Sequence, residues 1–252
     1  MRSRRLTILC AVLAACLCVF AGCHQYKNDV TVPDWVKQPY RISPDGKIVD
    51  AMGEKFLQRS KDFAEDAKTQ QPGGIVLLGD SLTEGYPVKD LFPNHHVINR
   101  GISGDKIGGW KFYGVIDRLD ASVYNLKPKK LFLLIGVNDI IFWKTPMKEK
   151  VRGYKNLLAT LKKNLPDCEI YVQSLLPSRG KYVEYNAQIA EFTKTIEELT
   201  KQAGLPYINL RSHFTDDLGQ MREEFTYDGV HLTRAGYEEW KKAIMLYIED
   251  TP

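Results

Sequence analysis

Three side chains of this sequence have the chemical types needed for nucleophilic catalysis. Ser81 directly follows the apolar run GGIVLLGD, and the late segment YDGVHLT contains Asp228 and His231. A serine hydroxyl is a poor nucleophile until a base removes its proton. A histidine can act as that base, and an aspartate can hold the imidazole by its other nitrogen. The pattern therefore indicates acyl transfer, with Ser81 as nucleophile, His231 as base and Asp228 as its orienting acid.

Acyl transfer also needs hydrogen-bond donors for the oxyanion that forms. We predict three donors: the backbone N–H of Ser81, the backbone N–H of Gly101, where no side chain blocks approach, and the side-chain amide of Asn138. Taken singly, each residue also fits a plain structural role, such as a loop glycine or a helix cap. The prediction therefore depends on the occurrence of all these residues together, not on any one of them.

Short apolar runs alternate with helical patterns after the first fifty residues. Apolar positions at helical spacing predict helices over about 47–69, 146–164 and 182–203, and a last helix that Thr233 caps. The β-type runs are 75–78, 96–99, 130–136, 169–176 and 206–210. This alternation predicts an α/β fold with a parallel sheet wrapped by helices. Ligands bind at the carboxyl ends of such strands, where all the candidate residues stand.

The N-terminal region has the composition of an export signal. A cationic start, MRSRR, precedes the apolar run LTILCAVLAACLCVF and then AGC, so residues 1–22 are predicted to be a signal peptide. The segment resembles a bacterial lipoprotein signal, which implies a lipid on Cys23 and an anchored protein in the periplasm or on the cell surface. A plain secretory signal or a short membrane anchor is the alternative. Residues 23–46 are polar with three prolines and are predicted to be a tether, so the folded domain is predicted over 47–252.

The charge balance argues against a nucleic-acid partner. Loss of Arg2, Arg4 and Arg5 with the signal would lower the 35 basic residues to 32, against 31 acidic ones. A domain this close to neutrality lacks the basic excess that phosphate backbones attract.

Four segments resemble, in order, the four blocks of the SGNH, or GDSL, hydrolase family: GDSLTEG (79–85), NRGISGD (99–105), GVND (136–139) and DGVHLTRAGY (228–237). The letters S, G, N and H of the family name match Ser81, Gly101, Asn138 and His231. The resemblance implies a flavodoxin-like three-layer α/β/α sandwich with a five-stranded parallel sheet. It also implies a serine esterase or lipase mechanism through an acyl-enzyme, with no metal and no organic cofactor. The segment QSLLPSRG (173–180) is similar to the branch related to platelet-activating-factor acetylhydrolase, whose substrates carry short acyl groups.

We therefore expect a serine esterase that removes short acyl groups, O-acetyl above all, from a small molecule or a carbohydrate. The alternatives are a lysophospholipase or lipase-type acylhydrolase and a non-catalytic glycan-binding module. A two-metal phosphoesterase is disfavoured, because it needs further ligands after the first strand and Ser81-Leu82-Thr83 offers none.

Two further groups flank the blocks. Three aspartates are predicted to hold loops through backbone N–H groups: Asp80, Asp105 and Asp139. Four aromatic residues either line the substrate site or pack in the core: Tyr86, Trp110, Phe142 and Trp143.

Overall fold

The computed structural model describes residues 51–109 and 113–249. The predicted signal, the tether and residues 47–50 of the predicted domain lie outside this part of the chain, as does Trp110. The lipid on Cys23 therefore stays a prediction. Within the described residues, no helix combines the length and apolar character needed to cross a bilayer.

The strands are β1 (Ile75–Gly79), β2 (Val97–Gly101), β3 (Lys130–Leu134), β4 (Glu169–Gln173) and β5 (Tyr207–Ile208). The α-helices are α1 (Ala51–Ala67), α2 (Ser81–Glu84), α3 (Val88–Leu91), α4 (Leu119–Ser122), α5 (Val137–Ile141), α6 (Met147–Asn164), α7 (Asn186–Gln202), α8 (Arg211–Phe214) and α9 (Arg234–Ile248). Short 3₁₀ helices cover Val115–Arg118, Tyr124–Leu126, Gly180–Tyr185 and Glu223–Phe225.

The strands form one parallel sheet in the order β2-β1-β3-β4-β5. Strand β2 pairs with one side of β1, and β3 pairs with the other side. The connections that follow β1 and β3 therefore run in opposite directions across the sheet. A crevice opens at such a switch point, outside the carboxyl ends of the strands. The predicted α/β fold with a five-stranded parallel sheet is confirmed.

Burial of apolar side chains fixes the helices on this sheet. Strand β3 is buried along its whole length, as strands covered on both faces are. Helix α6 buries Tyr154, Leu157, Leu158 and Leu161, and helix α7 buries Ile189, Phe192, Ile196 and Leu199. The helical spacing of apolar residues predicts these buried positions, whereas Val151 and Tyr185, which continue the two predicted stripes, are only partly buried.

Several element ends differ from the sequence prediction; β3 and β4, for example, end at Leu134 and Gln173 and not at 136 and 176. Strand β5 has two residues instead of five, because the chain turns back at Leu210, whose N–H donates to Ile208 O over 3.0 Å. The predicted helix over 182–203 begins as the 3₁₀ helix Gly180–Tyr185, and α-helical geometry starts only at Asn186.

Candidate active site

Ser81 is the first residue of α2, directly after β1. The preceding Asp80 caps the helix, since its Oδ1 accepts the Leu82 N–H over 3.0 Å. Leu82 and Thr83 are buried, whereas Ser81 is only partly buried. The helix is thus fixed on the core while the Ser81 hydroxyl stays at the open edge of the sheet. As the first helical residue, Ser81 also has a backbone N–H with no acceptor inside the helix.

The structure brings Ser81, His231 and Asp228 together. His231 Nε2 lies 2.9 Å from Ser81 Oγ, and His231 Nδ1 lies 2.7 Å from Asp228 Oδ2. A carboxylate can only accept, so Nδ1 carries the proton and Nε2 is left to accept from the serine hydroxyl. This is the tautomer in which the imidazole can take the serine proton.

Asp228 is held in its ionised form. Partial burial works to raise the pKa of Asp228, but hydrogen bonds from the His231 side chain and from the N–H groups of His231 and Val230 outweigh it and lower the pKa. The Asp228 Oδ1 atom accepts those two N–H groups over 2.8 and 2.9 Å. The carboxylate is therefore fixed by its own loop before it meets the imidazole.

The loop that carries Asp228 and His231 is closed at its base by the Thr226–Leu232 bridge. At its tip, Gly229 has a φ of 96°, and a Cβ there would lie 2.2 Å from Arg179 O. The Arg179 N–H in turn donates to Gly229 O over 2.8 Å. Only glycine fits this position, and the contact fixes the loop against the segment that follows β4.

Asn138 lies on the opposite side of the switch point, in α5. It is buried, and its Nδ2 donates to Asp105 O over 2.7 Å. An amide nitrogen carries two hydrogens, so one donor remains beyond this bond. The Asn138 amide and the Ser81 N–H are therefore available as oxyanion donors, as the sequence predicts.

The structure contradicts the prediction for Gly101. Its N–H donates to Asn99 Oδ1 over 2.9 Å and is not free. A Cβ on Gly101 would lie 2.1 Å from Glu84 N, so this glycine is needed for close packing of β2 on α2. The side-chain nitrogen of Asn99, Nδ2, donates to Tyr86 O over 3.2 Å, just after the end of α2. Gly101 thus positions the nucleophile helix and does not donate to substrate.

Gly104, and not Gly101, offers the unoccupied backbone N–H that the oxyanion needs, as far as the described residues show. The Asp105 N–H donates to Ile102 O over 3.0 Å, and Gly104 has a φ of 78°, so residues 102–105 form a tight turn. Among the described residues, the Gly104 N–H has no hydrogen-bond acceptor. The turn is tied to both sides of the site, because Ser103 N–H donates to Glu84 Oε2 over 2.9 Å and Asp105 O accepts from Asn138.

The residues of this site all lie within a segment that matches a known protein family. Residues 77–239, about two thirds of the chain, match the model of the GDSL-like Lipase/Acylhydrolase family. The chain belongs to the GDSL-like lipase/acylhydrolase family. It is therefore a serine hydrolase that cleaves esters.

Solved structures and a curated relative give further similarities to this acylhydrolase. A Streptococcus pneumonia structure named for platelet activating factor is 27% identical with a TM-score of 0.71, covering 79% of this chain and 94% of that one. An acetylxylan esterase from Geobacillus stearothermophilus is 18% identical with a TM-score of 0.54, covering 72% and 96% of the two chains, which shows the shared fold. N-acylneuraminate cytidylyltransferase of Escherichia coli O18:K1:H7 (strain RS218 / NMEC) is 29% identical over 166 residues, or 65% of this chain. The acylhydrolase spans only 37% of that relative's length.

The aromatic side chains that the sequence suggested for the substrate site differ in burial. Tyr86 is buried, with its ring centroid 4.7 Å from that of Trp240 and 5.1 Å from that of Tyr237, so it belongs to the core. Phe142 is 56% exposed, and the ring of Trp143 packs against the Lys106 ammonium. No group of three or more His, Cys, Asp or Glu side chains in the described parts of the chain is arranged to hold a metal ion.

The three aspartates each accept a backbone N–H, as predicted. Asp80 binds Leu82, Asp105 binds Lys106 N–H over 2.9 Å, and Asp139 binds Ile107 N–H over 3.0 Å. All three are buried beneath the site. The Asp80 Oδ2 atom is buried with no hydrogen-bond partner.

Two arginines position the site, although the sequence alone assigns neither of them a role there. Arg118 is buried and donates to Asp105 Oδ2 over 2.8 Å and to Gly79 O over 2.9 Å. It therefore joins the end of β1 to the loop after β2. Arg179 binds Asp216 over 2.7 Å and fixes the segment against which Gly229 packs. The position of Arg179 in QSLLPSRG was visible in the sequence, but its contact with the catalytic loop was not.

The stability of the acylhydrolase should depend on pH through Asp80. Burial raises the pKa of Asp80 to about 7, against the hydrogen bond from Leu82 and with help from the carboxylates of Asp105 and Asp139. An aspartate in the unfolded chain ionises near pH 4, so between about pH 4 and pH 7 the folded state retains a proton that the unfolded state has lost. The free energy of unfolding therefore falls as pH rises through this window and levels off above it.

The variant Asp80→Asn cannot ionise at this position and should remove the part of the decline that Asp80 causes. Urea unfolding from about pH 4 to about pH 8 should show a stability difference between variant and wild type that shifts in favour of the variant as pH rises. Asp217→Asn, at an exposed position, is the control and should show no such trend. A difference independent of pH would contradict the assignment to Asp80.

Proposed function

We propose that this acylhydrolase removes short acyl groups, acetyl above all, from a carbohydrate. The carrying observation is the unbroken line of hydrogen bonds from Ser81 Oγ through His231 to Asp228, with distances of 2.9 and 2.7 Å. These distances already fall within the range for proton transfer.

The proposed reaction has two halves. Ser81 Oγ attacks the carbonyl carbon of the ester while its proton moves to His231 Nε2, and the carbonyl π electrons move to the oxygen. Donors for this oxyanion are the Ser81 N–H, the Asn138 amide and the Gly104 N–H. The intermediate expels the alcohol, which takes the proton from His231, and an acyl-Ser81 ester remains. Water then attacks that ester with His231 again as base, which releases the acid and restores the serine hydroxyl.

The open position of the site favours a bulky alcohol part such as a carbohydrate. The side chains of His231 and Asp228 are 34% and 35% exposed, so the catalytic loop is accessible from solvent. The similarity in fold to an acetylxylan esterase supports acetyl as the acyl group. The predicted export signal would place the enzyme where extracellular or periplasmic glycans are found, and we propose that location with it.

A lipase-type acylhydrolase is the second candidate, favoured by exposed apolar side chains near the site. Tyr227, next to Asp228, is 70% exposed, and Phe142 and Val183 are also exposed. A lipid acyl chain would bury such surface favourably.

Acyl-chain preference separates the two candidates. The purified protein should hydrolyse p-nitrophenyl acetate with a higher kcat/KM than the decanoyl ester and should release acetate from acetylated xylan. Each buried CH₂ of a longer chain is worth about 0.8 kcal/mol, so a true lipid site would reverse the order strongly. Preference for decanoyl esters would overturn the acetylesterase and support the lipase. Inertness toward all esters and toward a fluorophosphonate would favour a glycan-binding module instead.

A further inference from the structure

A second concave site lies at the same edge of the sheet as the candidate active site. It has a volume of about 260 Å³, and we refer to it as the lysine cavity. Its walls are Ile140, Lys144, Thr145, Lys150, Tyr185 and Gln188. None of these residues belongs to the serine, histidine and aspartate set or to the oxyanion donors.

The lysine cavity is close to the catalytic loop. The loop is bonded through Gly229 O to the Arg179 N–H over 2.8 Å, and the 3₁₀ helix that starts at the next residue ends at Tyr185 in the cavity wall. This helix has six residues that rise about 2 Å each, so it spans about 12 Å from the Gly229–Arg179 contact to Tyr185. Ile140 comes from α5, the helix that also carries the oxyanion amide. One extended substrate can therefore reach both places.

Lys150 forms the inner positive wall. It is buried, and its Nζ donates to Thr145 O over 3.0 Å. Burial lowers the pKa of Lys150, while the carboxylates of Asp139 and Glu191 act in the opposite direction. The charge of Lys150 is therefore largely matched by the protein itself.

Lys144 carries a positive charge that is not paired with any acidic group in the described parts of the chain. It is exposed and has a φ of 47°, a left-handed backbone conformation that is uncommon for residues with a Cβ. In the parts of the chain that the structure describes, its ammonium has no hydrogen bond or ion pair, and the side chains of Tyr185 and Gln188 have no hydrogen-bond partner either. The cavity thus presents one unmatched positive charge beside two neutral polar groups.

We propose that the lysine cavity binds a carboxylate of the substrate, so that the preferred ester is carried by an acidic oligosaccharide. One unmatched ammonium with neighbouring hydroxyl and amide donors fits a single negative charge. The partly buried Tyr185 ring provides the aromatic surface on which a sugar ring packs. The cavity walls include none of the residues that contact the reacting ester, so the carboxylate should belong to a sugar other than the acetylated one. This proposal rests on the proposed function and adds the substrate class to it.

Steady-state kinetics on paired substrates test the proposal. The pair is acetylated xylo-oligosaccharides of equal length, with and without a glucuronic acid branch. Wild type should show a lower KM for the acidic one, and added salt should raise that KM because it screens the ion pair. Lys144→Gln should raise the KM of the acidic substrate roughly tenfold, the scale of a lost hydrogen bond to a charged group. Its kcat should not change, because Lys144 does not touch the reacting atoms.

Two variants and a simple ester complete the experiment. Lys144→Arg should restore the low KM. Lys201→Gln, which removes one exposed charge at the far end of α7, should change nothing. Equal KM values for the acidic and neutral substrates in wild type, or the same change in both with Lys144→Gln, would overturn the subsite. A preference for acyl esters of phospholipids over both oligosaccharides would also overturn the proposal that the cavity binds a sugar carboxylate.

Hydrolysis of p-nitrophenyl acetate distinguishes failure of the subsite from failure of the proposed function. This ester carries no carboxylate and should be cleaved equally by wild type and Lys144→Gln. If it is cleaved while the paired substrates behave alike, only the subsite fails. If wild type does not cleave it, the esterase itself fails.

Discussion

Ser81→Ala should lower kcat/KM for p-nitrophenyl acetate by about 10⁴-fold or more. The hydroxyl bonded to His231 Nε2 over 2.9 Å would be gone, and no acyl-enzyme could form. The oxyanion donors would remain, so a small residual rate above that of water is expected. The comparison is wild type against the variant on the same ester, with fluorophosphonate labelling as a second readout.

The matched control for this variant is Ser212→Ala. Ser212 is exposed, and its Oγ donates only to the nearby Asn209 O over 2.9 Å. This variant should keep the wild-type rate and label fully. Retention of more than about a hundredth of the wild-type rate by Ser81→Ala would rule out Ser81 as the nucleophile.

Asp105→Asn should cause the largest loss of stability, about 3–5 kcal/mol, because it leaves a buried charge unpaired. Arg118 and Asp105 form an ion pair at 2.8 Å with both side chains 1% exposed. The Arg118 guanidinium also donates to Gly79 O, Arg100 O and Ser122 Oγ over 2.9, 3.0 and 2.9 Å. For a domain of this size the loss corresponds to a fall in Tm of roughly 10 °C, measurable by calorimetry.

The surface pair of Asp90 and Arg234 provides the control. Its side chains are 67% and 53% exposed and lie 3.4 Å apart, so Asp90→Asn should cost less than about 1 kcal/mol. Replacing both buried partners, Asp105→Leu with Arg118→Met, should recover part of the loss, because no unpaired charge then remains. If Asp105→Asn lowers Tm no more than Asp90→Asn does, the buried pair does not hold the site together.

Much of the fold and the main chemistry of the site could be predicted from the sequence. Apolar periodicity alone indicated the buried stripes of α6 and α7, because side-chain spacing maps directly onto a helix face. Residue type and spacing likewise indicated Ser81, Asp228 and His231, because a base and its acid three residues apart must share one loop. The carboxyl-edge rule then placed Asn138 at the same edge of the sheet as these three residues.

The rest depends on backbone conformation and long-range contacts that no local pattern records. Gly101 and Gly104 are equally plausible donors by type, and only the bond from Gly101 to Asn99 shows which N–H is occupied. Arg118 is a single cation without a motif, and its partners become neighbours only when β1 and β2 pair. The early end of β5 is decided by a turn at Leu210.

The loop that carries Asp228 and His231 makes the acid and the base a single unit of local order. Both belong to one short segment closed by the Thr226–Leu232 bridge, while Ser81 is fixed on the core through α2. Local opening costs less free energy than global unfolding, so this segment can open while the sheet stays intact. Such an opening removes base and acid together and leaves an intact sheet with an unactivated serine. We therefore expect activity to be lost on heating at a lower temperature than that at which the sheet melts.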